Sequence, residues 1–172
     1  DAFLTKFNPN KENEVIGSNA NDYLINTALD DDIDGLYGID TVIYSGTFSN
    51  YSFTRASDTL EISDERTTGT TDGTDTLKNI ENIQFSDQTV EESKVDVVKT
   101  YSGEFSDYKF YNKGNGVYQI KTDSSYDDIT GYPLLTFTGE ATTSSFRDVS
   151  AIVDIKGTFD QVTGLETDDA KM

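Results

Sequence analysis

A chain of 172 residues with 32 acidic and 13 basic side chains carries a formal net charge of -19 and an isoelectric point near 4.1. Such a surface repels nucleic acid and anionic lipid and attracts divalent cations. With neither cysteine nor histidine, disulfides, thiolate metal sites, Ser-His-Asp triads, His-Glu-x-x-His zinc sites and imidazole bases are excluded. There is no run of about twenty apolar residues to span a membrane, and no signal-peptide pattern at the start. Ten tyrosines and ten phenylalanines, many at alternating positions, supply the core that a disordered acidic chain lacks.

Residues 1–16 are sparse in apolar groups and read as an edge or an irregular lead-in. From Gly17 to Ile43 the chain divides into three blocks of nine: G-S-N-A-N-D-Y-L-I, N-T-A-L-D-D-D-I-D and G-L-Y-G-I-D-T-V-I. Position six is always aspartate (Asp22, Asp31, Asp40), and position eight is a large aliphatic (Leu24, Ile33, Val42). A weaker block precedes them, with Asn13 and Val15 at those positions. A conserved phase over a fixed period marks a repeat architecture. The tripeptide around position eight suits a short strand with its central side chain inward, and the six residues before it are turn formers. Two blocks then complete one coil of a flattened parallel solenoid. Asp22 stacks beside Asp40, and Asp31 falls on the opposite side, beside Asn13.

Calcium suits that geometry, because it takes six to eight oxygens at about 2.3–2.6 Å from carboxylates and carbonyls in bent loops. The pair Asp22 and Asp40, with carbonyls of the glycine-containing turns at Gly17, Asn19, Gly35 and Tyr37, forms the first candidate set. Asp31 with Asn13 forms the second, unless Asp30-Asp31-Asp32 is a solvated loop. Without an ion the carboxylates repel, so folding and binding are expected to be coupled. At these residues the chain resembles the G-G-x-G-x-D-x-U-x nonapeptides of RTX (hemolysin-type calcium-binding) proteins. The resemblance implies a parallel β-roll, calcium between its turns, and export of the unfolded chain by a type I secretion system. The blocks depart from the pattern at Leu36, at Ser18 and Ala20, and at Asn26, Thr27 and Leu29, where glycines are expected.

A longer repeat follows. Tyr44-Ser45-Gly46-Thr47-Phe48-Ser49-Asn50-Tyr51-Ser52-Phe53 returns as Tyr101-Ser102-Gly103-Glu104-Phe105-Ser106-Asp107-Tyr108-Lys109-Phe110. Leu77-x-Asn79-Ile80-x-x-Ile83 matches Phe146-x-Asp148-Val149-x-x-Ile152, which predicts an insertion of about twelve residues in the second copy. In the first copy Tyr51 and Phe53 alternate on one strand, and Leu60 and Ile62 on its partner. In the second, Tyr108 and Phe110 pair with the strand of Tyr118 and Ile120 through a turn at 112–116. This region also resembles RTX proteins, many of which follow their nonapeptides with D-T-x-x-Y-S-G and D-G-x-D-T-L-x-x-I-E-x-I-x-F-x-D. Here the matching residues are Asp40-Thr41, Tyr44-Ser45-Gly46, Asp72-Gly73-Thr74-Asp75-Thr76-Leu77, Ile80-Glu81, Ile83, Phe85 and Asp87. Asp75 before Leu77 repeats the acid-x-aliphatic phase and reads either as a further ligand or as an Asp-Gly turn. Residues 95–100 read as a link, and Gly131-Tyr132-Pro133 as a break before the strand Leu134–Phe137. Asp123, Asp127 and Asp128 read as a polar loop or a minor cation site. Phe146 to Val162 ends the second unit. Thr167 with Asp168 and Asp169 reads as a helix start, so the chain is expected to be a piece of a longer protein.

The expected fold class is all-β. A short parallel, RTX-like β-roll over 1–45 leads to a first β unit over 41–94 that caps it and a duplicated second unit over 95–166, both mainly antiparallel; 167–172 begins a further segment. No pair of acids stands out as catalytic, so no enzyme is expected within these residues. The function expected from the resemblance is a calcium-stabilised structural and secretion module of an extracellular protein, monomeric as a fragment. Low calcium keeps it unfolded for export, and calcium outside closes the roll. The alternatives are an adhesin or glycan-recognition module, or an accessory domain of a secreted enzyme. A cell-surface glycan would stack on Tyr37, Tyr44, Tyr101, Tyr126 or Tyr132, unless these rings pack within the sheets.

Overall fold

A computed structural model describes residues 5–6 and 13–139. The sequence features expected at 146–162 and from Thr167 onward lie outside them. The chain is all-β, and it divides between Ser93 and Lys94 into two compact units.

The first unit begins with β1 (Thr5–Lys6), β2 (Asn13–Ile16), β3 (Tyr23–Ile25), β4 (Asp31–Asp34) and β5 (Thr41–Ile43). β1 pairs antiparallel with β2, and from β2 to β5 the strands alternate between two sheets. β2 pairs in parallel with β4, placing Asn13 opposite Asp31 and Val15 opposite Ile33. β3 pairs in parallel with β5, placing Leu24 opposite Val42. The position-eight side chains Val15, Leu24, Ile33 and Val42 are all buried. The nine-residue phase therefore sets the register, because a slip of one residue would turn these side chains to solvent. Residues 13–16 form a regular strand of this ladder, where an edge or irregular lead-in was expected.

After β5 the chain leaves the ladders for a hairpin, β6 (Tyr51–Ala56) and β7 (Thr59–Asp64), with Phe53 opposite Ile62. It then returns. β8 (Thr74–Lys78) pairs antiparallel with β7 and parallel with β4, so Leu77 stands opposite both Leu60 and Ile33. β9 (Asn82–Gln84) pairs in parallel with β5, and β10 (Thr89–Glu91) closes that sheet antiparallel to β9. The first β unit is thus continuous with the ladders, to which β8 and β9 add one more turn. Tyr44, Phe48, Tyr51, Phe53 and Phe85 form an aromatic cluster, in which Tyr44 stacks on Phe85 at 5.7 Å and Phe48 on Phe53 at 5.0 Å.

The second unit repeats this cluster. β11 (Val95–Tyr101) precedes a 3-10 turn at Phe105–Asp107, as β5 precedes one at Phe48–Asn50. β12 (Phe110–Gly114), β13 (Val117–Lys121) and β14 (Tyr126–Asp128) form an antiparallel sheet. β15 (Tyr132–Phe137) pairs in parallel with β11, as β9 does with β5. Tyr101 stacks on Phe137 at 5.7 Å, and Phe105 packs on Phe110 at 5.3 Å.

In the ring packing Phe137 takes the place of Phe85, stacking on Tyr101 as Phe85 does on Tyr44; the match at 146–152, and the insertion it predicts, lie outside the described residues. Three expectations are corrected. Residues 95–100 form a strand with Val95 buried, where a link was expected. Tyr132 and Pro133 belong to β15; the register shift between the Val95 and Val98 pairs lets the ladder pass Pro133, which lacks an N–H. Tyr108 lies before β12, and the hairpin turn is the two residues Asn115 and Gly116, at φ of 54° and 75°. Positive φ at both positions matches a tight turn whose twist suits the flanking strands.

Candidate metal centre

The parallel ladders bring the position-six acids together in two columns. In one, the Asp22 N–H donates to Asp40 Oδ1 at 2.8 Å, and the Asp40 N–H donates to Glu81 Oε2 at 2.7 Å. In the other, the Asp31 N–H donates to Asp75 Oδ1 at 2.9 Å. Asp40, Glu81 and Asp75 thus each accept the backbone N–H of the acid one coil earlier. Asp22, Asp31, Asp40 and Asp75 are all buried, so none belongs to a solvated loop.

These carboxylates differ in what else they hold. Asp22 Oδ2 accepts the Ser18 N–H at 2.6 Å and the Ser18 hydroxyl at 2.8 Å. These bonds hold its pKa below the usual carboxylate value, the backbone bond contributing most. Asp31 has matching hydrogen bonds, Oδ2 accepting the Thr27 N–H at 2.6 Å and Oδ1 the Thr27 hydroxyl at 3.1 Å. Ser18 and Thr27 both stand at position two of their blocks. In the third block that position is Leu36, which has no hydroxyl and sits at φ 69°, its N–H turned to Asp34 Oδ1. Asp40 Oδ2 is consequently buried with no hydrogen-bond partner. Burial raises the Asp40 pKa; the Asp22 N–H opposes this, and the charges of Glu81 and Asp22 add to it.

The glycines of these turns leave room beside the acids. A Cβ on Gly35 would lie 2.1 Å from the Asn79 carbonyl oxygen and 2.6 Å from Asp40 Oδ2. A Cβ on Gly17 would lie 2.5 Å from the Gly35 carbonyl oxygen and 3.1 Å from Asp22 Oδ2. Carbonyl and carboxylate oxygens of adjacent coils therefore converge where the side chain is absent. Among the described residues no three acidic side chains gather on one point, so a cation here would draw on backbone carbonyls and water as well. The donor set, oxygen throughout with an unpartnered carboxylate oxygen, fits a hard cation such as calcium.

The remaining expected residues are placed as follows. Asn19 and Tyr37 are exposed on their turns, and the Tyr37 N–H reaches the Ser18 carbonyl at 3.4 Å. The Asn13 amide donates to the Thr27 hydroxyl. Asp75 is fully buried, accepts from Asn26 as well as from Asp31, and is pushed up to about 7 by burial. Tyr44 OH faces Asp75 closely enough to perturb it, without the geometry of a hydrogen bond. Asp72 is tied instead to Ser45, to the Tyr51 hydroxyl at 2.5 Å and to Arg66 at 3.3 Å. In the second unit Asp127 meets Lys99 at 3.3 Å and the Tyr101 hydroxyl at 2.6 Å. Tyr44 and Tyr101 are buried in their ring clusters, which removes them as glycan-stacking faces; Tyr37 is 74% exposed.

Glu81 and Asn79 were missed by sequence reasoning. The last turn between the two columns has three residues, Asn79 to Glu81, where the turns between β2 and β5 have five or six. A glutamate there spans the missing length and makes the bond that Asp40 makes to Asp22. The Ile80-Glu81 pair in the second motif was its one visible trace. No family model and no curated protein matches this chain, so the RTX resemblance rests on the quoted residues alone.

Proposed function

We propose that this chain is a calcium-binding, calcium-stabilised structural module of a larger extracellular protein exported by a type I system. The observation that carries the reading is the buried, unpartnered Asp40 Oδ2, set against a glycine whose missing side chain leaves space between oxygens of adjacent coils. A buried carboxylate oxygen without a partner costs about 1–3 kcal/mol or more, and a bound cation removes that cost. Its charge also offsets the repulsion along the column Asp22, Asp40 and Glu81. Chain export and extracellular location follow from the resemblance to RTX proteins.

Thermal melting tests the reading. Millimolar calcium is expected to raise Tm over the chelated chain, and chelator to reverse the gain, as linkage requires of a ligand that binds only the folded state. Asp40→Ala should abolish most of this shift, whereas Asp128→Ala, on β14 of the second unit, should leave it intact. An identical Tm with chelator and with millimolar calcium would remove the proposal.

A further inference from the structure

We infer that the cation sits between Asp40 and the short turn Asn79–Glu81, held by the Asp40 carboxylate, the Asn79 carbonyl and Glu81, and not between Asp22 and Asp40. The inference rests on the calcium-binding reading and names the ligands of that site.

Three observations point to this side of Asp40. First, the partnerless oxygen is Oδ2, while Oδ1 is taken by the Asp22 N–H. Second, Asp22 Oδ2, the oxygen beside Gly17, already accepts two hydrogen bonds from Ser18, so a cation taking that oxygen would have to compete with them. Third, the group that approaches Asp40 Oδ2 beside Gly35 is the Asn79 carbonyl, at the start of the short turn. Asn79 has φ 51°, and its side chain is anchored to Asp34 Oδ1 at 2.7 Å. The left-handed conformation is one that asparagine tolerates better than most residues. Glu81 supplies the second charge. One of its oxygens receives the Asp40 N–H, and the residue is exposed, which gives an ion a route from solvent. Two carboxylates and one carbonyl leave the remaining positions of a six- to eight-coordinate ion to water.

Glu81 therefore has opposite effects in the two states. Without calcium its charge repels the buried Asp40; with calcium it binds the ion. Glu81→Gln keeps an oxygen to accept the Asp40 N–H and removes the charge. Calcium titration calorimetry and melting of the whole chain, with Asp22→Asn for comparison, separate the possibilities. Glu81→Gln is expected to weaken calcium binding about tenfold or more, the scale of losing one supporting group at a metal site. Its Tm in chelator should equal or exceed the parent's. Asp22→Asn should weaken binding by less than about threefold, a fraction of one tenfold step. If Glu81→Gln binds calcium as the parent does, or if its only effect is a lower Tm in chelator, Glu81 is a backbone cap and the inference fails while calcium binding stands. A larger loss from Asp22→Asn than from Glu81→Gln moves the ion to the other side of Asp40 and also overturns it. A parent chain that neither releases heat with calcium nor shifts its Tm removes the calcium reading itself, and this inference with it.

Discussion

At the scale of single residues, position two of each nonapeptide decides the state of the acid four residues later. Ser18 and Thr27 satisfy Asp22 and Asp31 within their own turns; Leu36 leaves Asp40 open. Reading the missing glycines only as lost flexibility overlooks this, because two of the replacements bring a hydroxyl that stands in for other partners. Asp75 shows a different outcome of burial. Fully enclosed, with only neutral donors on its carboxylate, it is pushed from 3.8 up to about 7. A carboxyl whose folded pKa exceeds its unfolded value favours folding in its protonated form. That contribution is complete below about pH 4 and is lost as pH rises through about 7, at up to about 1.4 kcal/mol per pH unit between them. Asp75→Asn keeps an acceptor for the Asp31 N–H and has no charge to bury. In chelator, the parent should therefore lose stability relative to this variant between pH 5 and 7, and the gap should level off above pH 8. Denaturant melts across that range measure it, and a gap that does not change with pH would contradict the burial argument.

At the scale of elements, the turns carry as much of the fold as the strands. Gly73 and Gly69 lie in the same return segment at similar φ, 81° and 87°, yet their surroundings differ. A Cβ on Gly73 would lie 2.4 Å from the Leu29 carbonyl oxygen, whereas one on Gly69 meets nothing within 4 Å. Gly69→Ala should cost only the left-handed backbone, about 1–2 kcal/mol. Gly73→Ala adds a backbone clash that moves β8 away from β4, and should cost clearly more; equal losses in a urea melt would show that β8 does not stack as described. Asp75 before Leu77 keeps the acid-x-aliphatic phase of a nonapeptide, the one trace in the sequence of β8 as a further turn of the ladder. The next turn was not legible, because it shortens to three residues and brings Leu77 and Ile83 within six of each other. A search by period cannot follow a repeat that changes length. β11 was hidden for a related reason. Asp96, buried at φ 54°, breaks the alternation of Val95 to Tyr101 at the point where the register shifts. The paired hairpins were plain because Phe53 with Ile62 and Phe110 with Ile120 keep period two across tight turns.

At the scale of the molecule, the two units share an aromatic cluster but balance their acids by different means. In the first, the columns Asp22–Asp40–Glu81 and Asp31–Asp75 run through both ladders, and among the described contacts no lysine or arginine meets a member of either. Arg66 serves Asp64 and Asp72 instead. In the second, Lys99 meets Asp127 and donates to the Asp128 carbonyl at 2.5 Å, while the Tyr101 hydroxyl also binds Asp127. The second unit thus contains the cation its central acid needs, whereas on the calcium proposal the first takes one from solution. Hydrogen exchange of the whole chain should reflect this difference. Adding calcium to the chelated chain is expected to slow exchange in β3, β4, β5, β8 and β9, whose backbone bonds run alongside the acid columns. β12, β13 and β14 should exchange at the same rate in both conditions, because nothing in their hydrogen bonding waits for an ion. Local opening free energies report each segment separately, so the two responses can be read in one experiment. Equal protection of β3 and β13 by calcium would mean that the Lys99 pair does not make the second unit self-sufficient. The calcium response would then belong to the chain as a whole and not to the columns of the first unit.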